Sequence, residues 1–147
     1  MEIKWFSEEQ LYANPLIKNG CETITRQAQE EGYINTLAYT SDAGTIVAIE
    51  GNEVVGYLSM SHWCSPELQP WWIENETVYV EQIVVASSAR GKGIARVLYE
   101  QLFASFGYSL VMCSISKKNE LSQAVHESLG FEKLESHLDY CLYAKSV

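Results

Sequence analysis

The hexapeptide Arg90-Gly91-Lys92-Gly93-Ile94-Ala95 sets basic side chains beside two glycines separated by one residue. Glycine takes backbone conformations closed to other residues and lets a ligand come close to the main chain. If a helix opens at Ile94, its first N–H groups have no internal partner and carry the positive end of the helix dipole. Such a turn suits an anion, and phosphate is the natural guest. A plain glycine turn capping a helix has the same composition, so the flanking elements have to decide between the two.

A second group of residues could also do chemistry. The segment from Trp63 to Glu76 carries Trp71-Trp72, Pro66, Pro70, Glu67, Glu74 and Glu76, with neither helical nor strand periodicity. It reads as a long loop. An aromatic and acidic loop either covers a cationic ligand by ring stacking and charge pairing, or packs its tryptophans on the domain as a surface flap. The candidates for substrate contact are Trp63, Glu67, Trp71, Trp72 and Glu74.

The elements that would position these groups alternate along the chain. Ile3 to Phe6 is a short strand, and Ser7 caps a helix with Glu8 and Glu9 in its first turn. A second helix is expected over Cys21 to Glu31. Thr45 to Glu50 and Glu53 to Ser61 flank Gly51-Asn52, a two-residue hairpin signal. Val78 to Ala86 reads as a strand buried on both faces. Ile94, Val97, Leu98, Leu102 and Phe106 then recur at helical spacing, and Gly107 stops the helix.

Ser109 to Ser116 is a further strand. Glu120 to Leu129 is a helix with Leu121, Ala124, Val125 and Leu129 inward, and Phe131 to Leu134 and Leu138 to Ala144 are the closing strands. The order is that of an α/β chain. The anion cradle falls on a strand-to-helix crossover, and residues 1–147 read as one continuous domain without repeats.

Composition narrows the chemistry. A chain of 147 residues buries about two-thirds of its extended surface on folding. A net charge of −9 argues against nucleic acid, whose binding needs Lys and Arg to neutralise phosphates. That charge either steers a cationic small substrate or simply aids solubility. Cys21, Cys64, Cys113 and Cys141 are scattered without metal-ligand spacing, so no metal is expected. No apolar run approaches a membrane span, which sets the expectation of a reduced, cytoplasmic protein.

Other phosphate binders are excluded by pattern. No GxxxxGK followed by Ser or Thr is present. The dinucleotide fingerprint needs a third glycine at position 96, which is Arg96, and belongs to a first strand rather than a turn two-thirds along the chain. Neither a GxSxG elbow nor HExxH occurs, and His62, His126 and His137 form no convincing hydrolase set.

Taken together, Tyr79-Val80-Glu81-Gln82-Ile83-Val84-Val85, the turn Arg90 to Ala95, Asn119 and Leu129-Gly130-Phe131 resemble the GNAT superfamily of acetyl-coenzyme A dependent N-acetyltransferases. The likeness covers Thr45 to Phe131 by element order, and the turn fits the family's Q/R-x-x-G-x-G/A pattern. The resemblance implies a mixed, mostly antiparallel sheet flanked by helices, with a splayed strand pair forming a slot for acetyl-coenzyme A. It implies that main-chain groups of Ile83, Val84 and Val85 bind the pantetheine arm. Arg90, Gly91, Lys92, Gly93, Ile94, Ala95 and Arg96 would hold the pyrophosphate, and Asn119 would touch the cofactor or cap its helix.

His126 stands where the family commonly has a tyrosine that protonates the leaving thiolate, and Ser87 where a proline is frequent. The segment His126 to Glu132, with Glu81, is similar to the aminoglycoside 6′-N-acetyltransferase branch. Polyamine acetyltransferases also place a glutamate at the position of Glu81.

The chemistry that follows needs a base, because an alkyl amine with a pKa of roughly 10.4 is protonated at neutral pH. Glu81 is the candidate, since a carboxylate inside a buried strand is costly unless it faces a polar space or a cation. A neighbouring Arg or Lys that satisfies it is the structural alternative. Direct attack would generate an oxyanion held by a strand N–H near Val84 or Val85. His126 would donate to the thiolate or be a packed residue. The expected acceptor is a primary amine on a cationic small molecule, with a peptide acceptor or a non-catalytic acyl-coenzyme A sensor as alternatives. A homodimer could form through Leu138 to Ala144, which would otherwise be an edge strand of the monomer.

Overall fold

In a computed structural model, which describes residues 1–34, 36 and 38–147, seven strands form one mixed, mostly antiparallel sheet. The strands are β1 (Glu2–Phe6), β2 (Thr45–Glu50), β3 (Glu53–Ser61), β4 (Thr77–Val85), β5 (Leu110–Ser116), β6 (Glu132–Ser136) and β7 (Tyr140–Ser146), in the order β1-β2-β3-β4-β5-β7-β6. The helices are α1 (Glu8–Tyr12), α2 (Pro15–Glu30), α3 (Ile94–Ser105) and α4 (Glu120–Ser128). Contacts group the chain into two compact units, Met1–Ser61 with Glu81–Phe106, and His62–Val80 with Gly107–Val147.

The first unit is built on the β1-β2-β3 antiparallel ladder. Gly51, at φ +63°, makes the hairpin turn that joins β2 to β3. Ile46, Val47, Ala48, Tyr57, Leu58 and Met60 are buried along these strands. α3 lays Ile94, Leu98 and Leu102 on β2 and β3, and fully burying one such side chain stabilises the fold by roughly 1.5–3 kcal/mol. This close packing needs Gly56, because a Cβ there would come 2.9 Å from Ile94 Cγ2 and 3.2 Å from the Val84 carbonyl oxygen.

Ser7 begins α1 with a reciprocal cap, its Oγ accepting from Gln10 N–H (3.1 Å) while Gln10 Oε1 accepts from Ser7 N–H (3.0 Å). α2 starts six residues before the expected Cys21. Asn14 Oδ1 accepts from Ile17 N–H, and Pro15 occupies the first helical position. Gly20 lies inside α2 and packs closely on β3, since a Cβ there would sit 2.6 Å from Val54 Cγ2.

In the second unit, β5 and β7 pair antiparallel from Leu110↔Ser146 to Ser116↔Tyr140, and β6 adds antiparallel to β7. β4 pairs with β5 in parallel from Thr77↔Leu110 to Val80↔Cys113. Leu68, Met112, Leu142 and Ala144 form the core, with Trp71, Trp72 and Tyr79 packed against it.

Three expectations about faces and edges are corrected. β4 is not buried on both faces: Val80, Gln82 and Val84 are buried, whereas Tyr79, Glu81, Ile83 and Val85 are half-buried. α4 turns Leu121 (63% exposed) and Ala124 to solvent and buries His126 and Leu129. β7 starts at Tyr140, leaving Leu138 in the turn before it, and lies between β5 and β6, so β6 rather than β7 is the edge. With both sides of β7 paired inside the chain, it has no free edge to offer a second copy. Among the described residues, no helix is long and apolar enough to cross a membrane.

Candidate active site

The alternation along β4 decides which groups it presents. Gln82 points to the buried side, where its Nε2 donates to Tyr57 Oη (2.7 Å) and its Oε1 accepts from Thr36 Oγ1 (2.8 Å). Tyr57 Oη also meets Thr25 Oγ1 at 2.7 Å, and Thr25 Oγ1 donates to the Cys21 carbonyl. A satisfied polar network of this kind fixes the strand's facing, since an unmatched buried group would cost about 1–3 kcal/mol. Burial pushes the Tyr57 hydroxyl up to about 12, so it stays protonated. Sequence reasoning missed this network; the one signal was an amide in the middle of an apolar strand.

The opposite face of β4 carries Glu81, Ile83 and Val85. Burial raises the Glu81 carboxyl above its usual pKa, the Ser61 hydroxyl opposes this by hydrogen bonding to it, and the Asp42 charge adds to the rise. Ser61 is itself buried. No lysine, arginine or histidine lies within ion-pair distance of Glu81 among the described residues, so the alternative of a carboxylate satisfied by a local cation does not apply.

β4 leads into the cradle through a short 3-10 turn, Ser87–Ala89, anchored by Ala86 N–H donating to the Val55 carbonyl (2.9 Å). Gly91 and Gly93 both lie in the left-handed region, at φ +78° and +77°. A Cβ at either would meet no protein atom within 4 Å, so the space over the turn is open to a ligand and not to packing. Gly93 is the N-cap of α3, and no side chain caps the helix. The exposed Lys92 and Arg96 flank it, and neither forms an ion pair among the described residues. These features fit a pyrophosphate: uncapped N–H groups, a helix dipole and two free cations.

Arg90 behaves differently from the expectation. Its guanidinium is held by Glu31 through both nitrogens (2.5 and 3.3 Å) and lies over the Tyr33 ring at 4.9 Å. Nothing in the sequence signalled this pair, whose members are 59 residues apart.

In the second unit, Asn119 is the N-cap of α4, with Oδ1 accepting from Ser122 N–H (3.0 Å), which leaves its amide N–H donors for a ligand. His126 is buried, with Nδ1 2.7 Å from the Ser122 carbonyl oxygen and its ring edge-on to Phe131. Burial lowers its pKa. The ring is therefore neutral near pH 7, and the Nδ1 proton is committed to the helix backbone. A proton donor toward a thiolate would need the imidazolium, which this environment disfavours.

The aromatic loop packs on residues of its own unit. Trp71 and Trp72 pack on the Leu68, Met112 and Leu142 core, and Tyr140 Oη donates to Glu67 Oε2 (2.5 Å). Trp72 and Glu74 also line a shallow pocket with Cys64, Pro66, Gln69 and Pro70, while Trp63 is exposed. Among the described residues, no group of three or more His, Cys, Asp or Glu could hold a metal ion.

The family model described as "Acetyltransferase (GNAT) family" matches residues 8–131. No curated protein matches the chain. Among solved structures, a protein from Pyrococcus horikoshii OT3 superposes with a TM-score of 0.73 at 21% identity over 99% of both chains. An N-acetyltransferase from Staphylococcus aureus Mu50 gives 0.69 at 21%, covering 99% of this chain and 97% of that one. An aminoglycoside 6′-N-acetyltransferase complexed with coenzyme A gives 0.70 at 17%, covering 99% and 97%. At these identities the structural likeness is one of fold.

Proposed function

We propose that this chain, which belongs to the acetyltransferase (GNAT) family, moves acetyl from acetyl-coenzyme A to a primary amine on a cationic small molecule of aminoglycoside or polyamine type. The observation that carries the acceptor reading is Glu81: a half-buried carboxylate without an ion-pair partner among the described residues, on the half-buried face of the strand that leads into the anion cradle. An ammonium group supplies the missing charge, and its proton is the one that has to leave before the nitrogen can attack.

Acetyl-coenzyme A supplies an activated acyl group as a thioester. The backbone N–H groups from Gly91 to Arg96 hold the pyrophosphate, and Lys92 and Arg96 neutralise it. Main-chain groups of Ile83, Val84 and Val85 bind the pantetheine arm, and an N–H near Val84 or Val85 stabilises the negative charge that develops on the acyl oxygen. Glu81 holds the ammonium and takes its proton, directly or through one water. His126 donates no proton in this scheme and instead fixes the packing of α4 against Phe131.

Thiol release from acetyl-coenzyme A, measured across aminoglycosides, polyamines, amino acids and peptides, tests the acceptor class. Turnover of the cationic small molecules, dependent on Glu81, supports the reading. Turnover of peptides alone would move the acceptor to proteins, and coenzyme A binding without turnover of any amine would make the chain a sensor.

A further inference from the structure

The last turns of α2 grip the connection between β4 and the cradle at two points. Gln27 Oε1 accepts from Ser87 N–H (3.1 Å), and the Glu31 carboxylate takes both guanidinium nitrogens of Arg90. Gln27 and Glu31 are four residues apart, about 6 Å along a helix at 1.5 Å per residue. Ser87 and Arg90 are three apart across a 3-10 turn, again about 6 Å at 2.0 Å per residue. The two spacings match, so one helix face engages both ends of the turn without strain in either. The Tyr33 ring, just beyond α2, closes over the guanidinium at 4.9 Å.

We propose that Gln27 and Glu31 are positioning residues for the coenzyme A cradle and that Arg90 acts through them, not as a ligand of the phosphates. The clamp sets the point from which Gly91 and Gly93 turn into α3 and so aims the uncapped N–H groups. It also consumes the charge of Arg90, which leaves Lys92 and Arg96 to neutralise the anion. A chain in which this segment wanders would first have to order it on binding, and that cost would appear as weaker cofactor affinity.

The proposal rests on the cradle's being the coenzyme A site, and calorimetric titration of coenzyme A separates the two. Glu31→Gln and Arg90→Glu should each raise Kd by about three- to fivefold, the upper part of the range expected for loss of a well-formed, partly exposed ion pair. The charge-swapped protein, Glu31→Arg with Arg90→Glu, should return Kd to within about twofold of the wild type, because the clamp is restored with reversed polarity. Binding by the swapped protein no better than Arg90→Glu alone would overturn the proposal, since a carboxylate at position 90 would then be repelling the pyrophosphate directly. In steady state, Glu31→Gln should raise KM for acetyl-coenzyme A with kcat and acceptor KM unchanged. A fall in kcat at saturating acetyl-coenzyme A, or an unchanged Kd in this near-isosteric variant, would equally overturn it. Failure of the wild type to bind coenzyme A would remove the cradle assignment itself.

Discussion

A carboxylate held half-buried without a cation is kept against its preference for water, and Glu81 is therefore a group whose role and cost are linked. Its folded-state pKa is raised above the ordinary 4.5, so the folded chain binds its proton more readily than the unfolded chain does. The stability it contributes is present at low pH and lost as pH rises through the raised value. Glu81→Gln removes this penalty, and the variant should melt at or above the wild-type temperature at pH 7, with the gap narrowing on acidification. A wild type more stable than the variant at pH 7 would mean that a cation satisfies Glu81. His126 has the opposite sign. Its pKa is lowered from 6.5 by burial, so its stabilising effect is present above that value and is lost as pH falls through the depressed one. His126→Gln should lower the melting temperature while leaving kcat within about threefold, whereas a loss in the range of about 10²–10⁴ would restore it as a general acid.

Elements that carry local signals were legible in the sequence, and those set by distant packing were not. The Ser7 cap, the Gly51-Asn52 hairpin and the turn before Ile94 each depend on residues within a few positions, and each appears where the sequence places it. α2 starts before the expected Cys21, and the Gly20 inside it is placed by a distant contact, with Val54 packed against it. Gly20→Ala accordingly tests the packing account. An exposed mid-helix glycine gains about 1 kcal/mol on replacement by alanine, whereas overpacking costs about 1–3 kcal/mol. Denaturant melts of the variant should show destabilisation. The inward face of α4 was misread because His126 counts as polar in a periodicity, although its Nδ1 finds a partner one turn back in the helix. At the candidate site the cradle was legible because it is six consecutive residues. The Glu31–Arg90 pair, the Tyr57–Gln82 network and the Ser61 and Asp42 neighbours of Glu81 join distant segments and left no trace in spacing.

At the scale of the whole molecule, a net charge of −9 is a field that either matters to the substrate or does not. An acceptor carrying several positive charges should show kcat/KM falling as ionic strength rises from low to above 0.15 M, where the screening length shortens to about 8 Å. A neutral amine should show a flat response, and equal salt dependence for both would reduce the acidity to solubility. The same cationic acceptor permits the most direct test of the central claim, that Glu81 deprotonates the amine. The measurement is the pH profile of kcat/KM for wild type and Glu81→Gln, with coenzyme A affinity titrated in parallel. The account predicts a rate loss of about 10²–10⁴ in the variant, disappearance of the acid limb that lies above the usual carboxylate pKa, and coenzyme A affinity nearly unchanged. An equal rate with the same acid limb in the variant would contradict it.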